Sequence, residues 1–135
     1  MTKFLLAYDG SPGAKRALVR TASLAVPGDE VTILSVVPAI VQAFARNAED
    51  RAANIARREE QAADARRTLF LDGVPSTTRV AEGDPAVKIR EVAADGAYDV
   101  IVLGSRHRHG VQRFTHRSVS TYVIRHAPCD VIVAH

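Results

Sequence analysis

Cysteine, aromatic side chains and long apolar runs are all scarce in this chain of 135 residues. A single cysteine excludes an internal disulfide framework and a zinc cluster built from cysteines. No run approaches the roughly 20 apolar residues that a membrane span needs. Charges at Lys3, Asp9 and Lys15 interrupt the apolar segment that a signal peptide would require. We therefore expect a cytoplasmic protein with no membrane partner.

Acidic residues are missing from one long stretch near the end of the chain. No Asp or Glu occurs from Val100 through Cys129, and the same stretch contains Arg106, Arg108, Arg113, Arg117 and Arg125. The net charge of +3 is only mildly basic, so this local concentration is more informative than the total. A strand that leads into a basic loop and then a helix suits an anion. RNA is disfavoured as the partner, because Phe114 is the only aromatic residue of the loop at 106–117 that could stack on a base.

Apolar runs alternate with helical periodicities along the whole chain. Strands are predicted at 3–8, 31–37, 77–81, 99–103 and 130–134, and helices at 12–25, 39–70, 85–95 and 118–126. Asp84 is the expected N-cap of the third helix, with Pro85 at its first position. This order predicts an α/β fold in one domain, 1–135, with a parallel sheet and helices on both faces. The segment at 39–70 is expected to be a solvated helix, with a lid-like or partner-binding segment near 40–50 as the alternative.

Ligands of such sheets bind beyond the carboxyl ends of the strands, where the strand order reverses. Asp9, Val37 and Gly104 lie at the ends of the first, second and fourth predicted strands. They meet at one crevice if the order reverses between the first and fourth strands.

Several short blocks together resemble the universal stress protein family over essentially the whole chain. They are Ala7–Ser11, Glu82–Ala86, Val102–Arg106, Ser118–Ser120 and Arg125–Cys129. The resemblance implies a five-stranded parallel open sheet of the Rossmann-like type, similar to the adenine nucleotide alpha hydrolases. It also implies a homodimer formed through the last strand, 130–134. In one branch of the family it implies ATP bound at the carboxyl edge of the sheet.

The ATP-binding branch carries a glycine motif: Gly, two residues, Gly, nine residues, Gly, then Ser or Thr. Gly104 and Ser118 match it, but His107 and Arg117 stand where the second and third glycines belong. Glycine lets backbone N–H groups approach a phosphate and tolerates positive φ, whereas a side chain adds bulk there. Two interpretations stay open. Either arginine side chains replace backbone recognition of phosphate, or the site is vestigial.

By the resemblance, Asp9 lies near the adenosine moiety and Val37 lines the adenine pocket. The remaining expected nucleotide-binding residues are Gly104, Arg106, Arg117, Ser118, Val119 and Ser120. Simpler structural roles exist for three of them: Asp9 can cap a turn, Val37 can be an ordinary strand residue, and Ser118 can cap the last helix. The only metal expected is Mg²⁺, and only as the companion of a bound nucleotide.

Function is therefore predicted to be that of a dimeric stress-response module that binds ATP or another adenine nucleotide. The alternative is a nucleotide-free dimeric interaction protein whose basic loop at 106–117 docks an acidic partner. A slow ATPase has weak support, because the chain has no GxxxxGK[ST] phosphate loop and no convincing general base. A metal site is disfavoured, since no carboxylate or second cysteine accompanies His107, His109, His116 and His126.

Overall fold

The structure is a computed structural model that describes residues 1–105 and 117–135, without the side chains of Arg117 and Ser118. In the described residues, strands and helices alternate except at one place, where two helices follow each other. In chain order they are β1 (Lys3–Ala7), α1 (Pro12–Leu24), β2 (Glu30–Pro38), α2 (Ala39–Ala43), α3 (Ala48–Leu71), β3 (Thr77–Gly83), α4 (Pro85–Asp95), β4 (Val100–Gly104), α5 (Arg117–His126) and β5 (Asp130–Ala134).

All five strands form one parallel sheet in the order β3-β2-β1-β4-β5. The predicted α/β class and parallel sheet are confirmed. The chain moves outward on one side from β1 to β3 and then returns to place β4 on the other side of β1. The strand order therefore reverses between β1 and β4, as the convergence of the predicted crevice residues requires.

Helices cover both faces of the sheet because successive strand residues point to opposite sides. In β1, Leu6 joins the core formed with α1 and α3, whereas Leu5 joins the core formed with α4 and α5. The first core includes Phe4, Leu6, Ala17, Ile33, Ala65, Leu69 and Val102. The second includes Leu5, Leu34, Ile89, Val92, Ile101 and Val123. Continuous apolar strands are thus buried from both sides.

The segment predicted as one helix at 39–70 is divided in two. The side chain of Asn47 accepts a hydrogen bond from the backbone N–H of Asp50 at 2.9 Å and so caps the start of α3. An N-cap residue has extended rather than helical backbone, and Asn47 at φ −160° interrupts the helix. Ile40 of the short α2 and Phe44, the residue that follows this helix, are 66% and 80% exposed.

The rest of α3 agrees with the expected solvated helix. Its buried side is a narrow stripe of Ala62, Ala65 and Leu69, and most of its charged side chains face solvent. Among the helices of the described residues, none, including the 24-residue α3, combines the length and apolar character needed to cross a bilayer.

Candidate functional site

A cavity of about 610 Å³ opens at the carboxyl edge of the sheet, where the strand order reverses. Its volume lies within the range typical of small-molecule sites. Residues from five helices and three strands or their ends line it: Ala7, Tyr8, Asp9, Ser11, Ala14, Leu34, Val36, Pro38, Ile40, Arg58, Asp84, Pro85, Ala86, Val87, Ile89, Leu103, Gly104, Val119, Ser120 and Tyr122. The candidate site therefore occupies the position that strand topology favours for a ligand.

The floor of the cavity is apolar and belongs to the face covered by α4 and α5. Leu34, Val36 and Leu103 line the cavity and also join that core. Val37, the residue expected to line an adenine pocket, is buried but is not among the lining residues. The reason is strand alternation: adjacent residues of β2 point to opposite faces, so the cavity receives Val36 instead of Val37.

The turn after β1 brings Asp9 to the cavity. The Oδ1 atom of Asp9 accepts a hydrogen bond from the backbone N–H of Ser11 at 3.0 Å, and Gly10 between them has φ +79°. The side chain of Ser11 then accepts from the backbone N–H of Ala14 at 3.2 Å and caps α1. Asp9 thus stabilises the turn and lines the cavity at once, so its two suggested roles are compatible.

Two further helices begin at the cavity wall. The Oδ1 atom of Asp84 accepts hydrogen bonds from the backbone N–H groups of Ala86 and Val87, at 3.0 and 3.2 Å, so the predicted N-cap of α4 is confirmed. In α5, Val119 and Ser120 of the first turn line the cavity. The amino end of a helix carries partial positive charge and free N–H groups. At α4 the Asp84 carboxylate already accepts from two of these groups, so the start of α5 is the part of this wall that suits an anionic group.

Gly104 lines the cavity, but it also has a packing role that the sequence does not reveal. A Cβ atom on Gly104 would overlap the backbone of Gly13 in α1. A Cβ atom on Gly13 would in turn lie 2.6 Å from the carbonyl oxygen of Ser105. The two glycines let α1 approach the end of β4 closely, so glycine is required at position 104 whatever the cavity binds.

Arg58 of α3 is a charged lining residue that is not among the expected site residues, because the segment around it is predicted to be a solvated helix. Its Nη1 atom donates to Gln61 Oε1 at 3.0 Å and to the carbonyl oxygen of Asp9 at 3.4 Å. A signal was present in the sequence, since Arg58 precedes Ala62 and Ala65 at helical spacings of four and seven residues. An arginine on the buried stripe of a helix indicates a charged group directed toward the protein.

The other expected site residues divide into two groups. Asp9, Gly104, Val119 and Ser120 are brought together around one cavity. Arg106 lies outside the described residues, and for Arg117 and Ser118 only the backbone, in the first turn of α5, is described. The predictions for these three side chains stay predictions.

Tyr8 is buried beside Asp9, and burial, together with the nearby Asp9 carboxylate, raises the pKa of its phenol. Tyr8 is consequently neutral at physiological pH, so its phenolate is not present to act as a base. Within residues 1–105 and 117–135, no group of three or more His, Cys, Asp or Glu side chains could hold a metal ion.

Comparison with known proteins gives one consistent result. The family model described as "Universal stress protein family" matches residues 1–135. A universal stress protein of Thermus aquaticus is 32% identical over 132 residues, which cover 96% of this chain and 95% of that protein. Universal stress protein Sll1388 of Synechocystis is 37% identical over 82 residues, covering 56% of this chain and 53% of that protein. The chain thus spans about half of the length of the Synechocystis protein and about a third of a Staphylococcus epidermidis relative.

Solved structures share the fold. A universal stress protein in complex with cAMP superposes with a TM-score of 0.78 at 19% identity, covering 99% of this chain and 97% of that one. A universal stress protein family protein of Arabidopsis thaliana with AMP bound has a TM-score of 0.71 at 20% identity, covering 99% and 91%. At these identities the similarity establishes the fold, whereas the ligands named belong to those two proteins.

Proposed function

The chain belongs to the universal stress protein family, and from this premise we propose that it binds an adenine nucleotide in the cavity at the carboxyl edge of its sheet. One observation carries the proposal: an apolar cavity of suitable volume lies at the strand-order reversal, and α1, α4 and α5 all begin at its wall. An apolar floor suits a purine base, and amino ends of helices suit phosphate. The structural relatives with cAMP and AMP support this class of ligand.

Within this proposal, the base lies against the apolar floor of Leu34, Val36 and Leu103. The carboxylate of Asp9 is placed to accept a hydrogen bond from a ribose hydroxyl, as acidic residues do in other Rossmann-like sites. The phosphate groups lie toward Gly104 and the first turn of α5. Ser118 and the arginines Arg106 and Arg117 are proposed to complete that end, and Mg²⁺ would accompany a bound triphosphate.

The biological role we propose is that of a dimeric cytoplasmic module that responds to nucleotide. Strand β5 lies at the edge of the sheet and pairs with β4 along one side. An edge strand presents unpaired backbone groups to another chain, so residues 130–134 are the proposed dimer contact. Catalysis is not part of the proposal, and ATP hydrolysis would be a slow side activity.

A second candidate function rests on the sequence of the basic loop. Residues 106–117 contain four arginines and no acidic residue, which favours an acidic protein partner by charge complementarity. In this alternative the cavity is vestigial and the loop is the functional surface. The two candidates differ in whether the purified protein binds nucleotide at all.

The first experiment is to denature the purified protein by heat and identify released nucleotides by chromatography and mass spectrometry. The protein is then titrated with ATP, ADP, AMP and cAMP by calorimetry. We expect binding, with a loss of about tenfold in affinity for Asp9→Ala and for Ser118→Ala, because each removes a hydrogen bond to the ligand. Asp95→Ala, which changes an exposed aspartate at the end of α4, is the matched control.

Unchanged affinity in both site variants would contradict the assignment of these residues. Absence of any bound nucleotide, with no affinity in the millimolar range, would contradict the proposed function and favour the interaction protein. In that case the basic loop would be tested against acidic partners.

A further inference from the structure

Arg58 is the only cationic side chain among the described residues that line the cavity. It enters from α3, which packs on the face of the sheet opposite α4 and α5. The other charged lining residues are the carboxylates of Asp9 and Asp84. Among the described residues, the cavity therefore has one cationic side chain, and it comes from α3, outside the glycine motif.

The position of Arg58 is fixed by its neighbours. Gln61, one turn later in α3, accepts from its Nη1 atom at 3.0 Å, and the carbonyl oxygen of Asp9 accepts from the same atom at 3.4 Å. Gly10 keeps α3 close to this turn, since a Cβ atom there would lie 3.1 Å from Gln61 Nε2. Gly10 also has φ +79°, which favours glycine. The guanidinium is thus held between α3 and the end of β1.

This arrangement leaves part of the guanidinium for a ligand. A guanidinium carries five N–H donors, and within the described part of the chain both hydrogen bonds of Arg58 are made by Nη1. No hydrogen bond to the described residues uses the donors on Nη2 and Nε, and Arg58 lines the cavity. Two adjacent donors in a plane match two oxygens of a phosphate group.

We propose that Arg58 binds the phosphate of the nucleotide. This inference rests on the proposed function and adds a phosphate ligand from α3 that does not depend on the two missing glycines. The apolar floor of the cavity takes the base, so the phosphate faces the polar wall, where Arg58, Ser11 and the amino end of α1 lie. Gly13 of α1 packs against Gly104, so this is the same end of the cavity toward which the phosphate is proposed to lie. The guanidinium of Arg58 then supplies the positive charge and the N–H donors that the backbone N–H groups of glycine-rich loops supply in other phosphate sites.

The experiment compares AMP with adenosine, which differ only in the phosphate, by calorimetric titration of the wild type and of Arg58→Gln. We expect the affinity for AMP to fall about tenfold to a hundredfold, because charge-assisted hydrogen bonds to phosphate are lost. The affinity for adenosine should change less than about threefold. Arg58→Lys, which keeps the charge but not the planar fork, should retain part of the AMP affinity.

Arg57→Gln is the matched control. Arg57 is the preceding residue of the same helix, is exposed, and donates to Asn54 away from the cavity. The Arg57→Gln variant should bind AMP with the affinity of the wild type. Circular dichroism of each variant verifies that α3 is folded.

The outcomes separate this inference from the proposed function. Equal losses for AMP and adenosine in Arg58→Gln, or no loss for either, would overturn the phosphate role while nucleotide binding by the wild type stands. A wild type that binds neither AMP nor adenosine would overturn both. A loss confined to AMP in Arg58→Gln, with Arg57→Gln unchanged, supports the inference.

Discussion

The two edges of the sheet use polar residues in different ways. At the amino edge, where the strands begin, polar groups bond to one another. The Tyr98 hydroxyl donates to Thr32 Oγ1 at 2.7 Å, and the Lys3 ammonium lies 4.8 Å from the centre of the Tyr98 ring. The backbone N–H of Lys3 donates to Asp99 Oδ2 at 2.8 Å. These pairings connect the starts of neighbouring strands, and none of these residues lines the cavity at the carboxyl edge.

At the carboxyl edge, polar groups surround a space instead. Asp9, Arg58 and Asp84 each make hydrogen bonds within the protein and still line a cavity of about 610 Å³. Their residue types resemble those at the amino edge, but here α1, α4 and α5 begin at the wall of the same space. The polar groups of the amino edge thus bond to one another, whereas those of the carboxyl edge leave a space in which the proposed ligand fits. Substitutions at the two edges should therefore separate two properties, the free energy of unfolding and the affinity for nucleotide.

The largest effect is expected at the carboxyl edge, for Gly104→Ala. The added Cβ overlaps the backbone of Gly13, which cannot move aside as a flexible side chain could. We expect the free energy of unfolding, measured in urea, to fall by about 3 kcal/mol or more, and nucleotide binding to be lost with the packing of α1 on β4. Gly104 would then be a residue on which both properties depend.

The control for Gly104→Ala is Gly73→Ala. Gly73 has φ +80° but nothing within 4 Å of a Cβ atom. Its substitution tests backbone strain alone, and it should cost about 1 kcal/mol. Equal effects at the two glycines would contradict the close-packing explanation for Gly104.

A smaller change in the free energy of unfolding is expected at Asp84. Two substitutions of this one side chain can separate its effect on stability from its effect on nucleotide affinity. Asp84→Ala removes the cap of α4 and should lower the free energy of unfolding by about 1 kcal/mol. Asp84→Ser retains a capping oxygen but removes a negative charge from the cavity wall. We expect Asp84→Ser to unfold in urea like the wild type and, by calorimetry, to bind AMP more tightly, because repulsion of the phosphate is reduced. Weaker AMP binding by Asp84→Ser would indicate that the carboxylate contacts the ligand directly.

The sequence was sufficient to predict much of the fold, because its signals are local. Apolar runs predicted the strands, and Asp84 followed by Pro85 predicted the start of α4. The division between α2 and α3 was missed, although Asn47 is a good capping residue. The high helix propensity of the surrounding alanines and arginines obscured that signal.

The site was less predictable, because it depends on contacts between distant elements. Strand ends were sufficient to place Asp9 and Gly104 at the cavity. They do not reveal which residue faces which side, so Val37 was expected to line the cavity, whereas Val36 does. Arg58 reaches the cavity from a helix 49 residues after Asp9, and no local pattern places α3 above that turn. The close contact of Gly104 with Gly13 is likewise a property of packing and not of the glycine motif.

The smallest expected effect is a pH dependence at the amino edge. Asp29 accepts hydrogen bonds from the backbone N–H groups of Val26 and Thr2, at 2.9 and 2.8 Å, and these bonds lower the pKa of its carboxyl group. A carboxyl group whose pKa is lower in the folded than in the unfolded state adds stability above its unfolded pKa, about 4. That stability is lost as the pH falls through the lower, folded value.

We therefore expect Asp29→Asn to be less stable than the wild type at neutral pH, and the difference in free energy of unfolding to shrink as the pH falls below about 4. Urea unfolding at a series of pH values measures that difference. AMP affinity at neutral pH should not change, because Asp29 lies at the edge away from the cavity. Asp95→Asn is the control, since its side chain makes no hydrogen bond among the described residues. If the difference in free energy of unfolding between Asp29→Asn and the wild type did not depend on pH, the two N–H groups would stabilise the neutral and the charged carboxyl equally. A loss of AMP affinity in this variant would show that the two edges of the sheet are not independent.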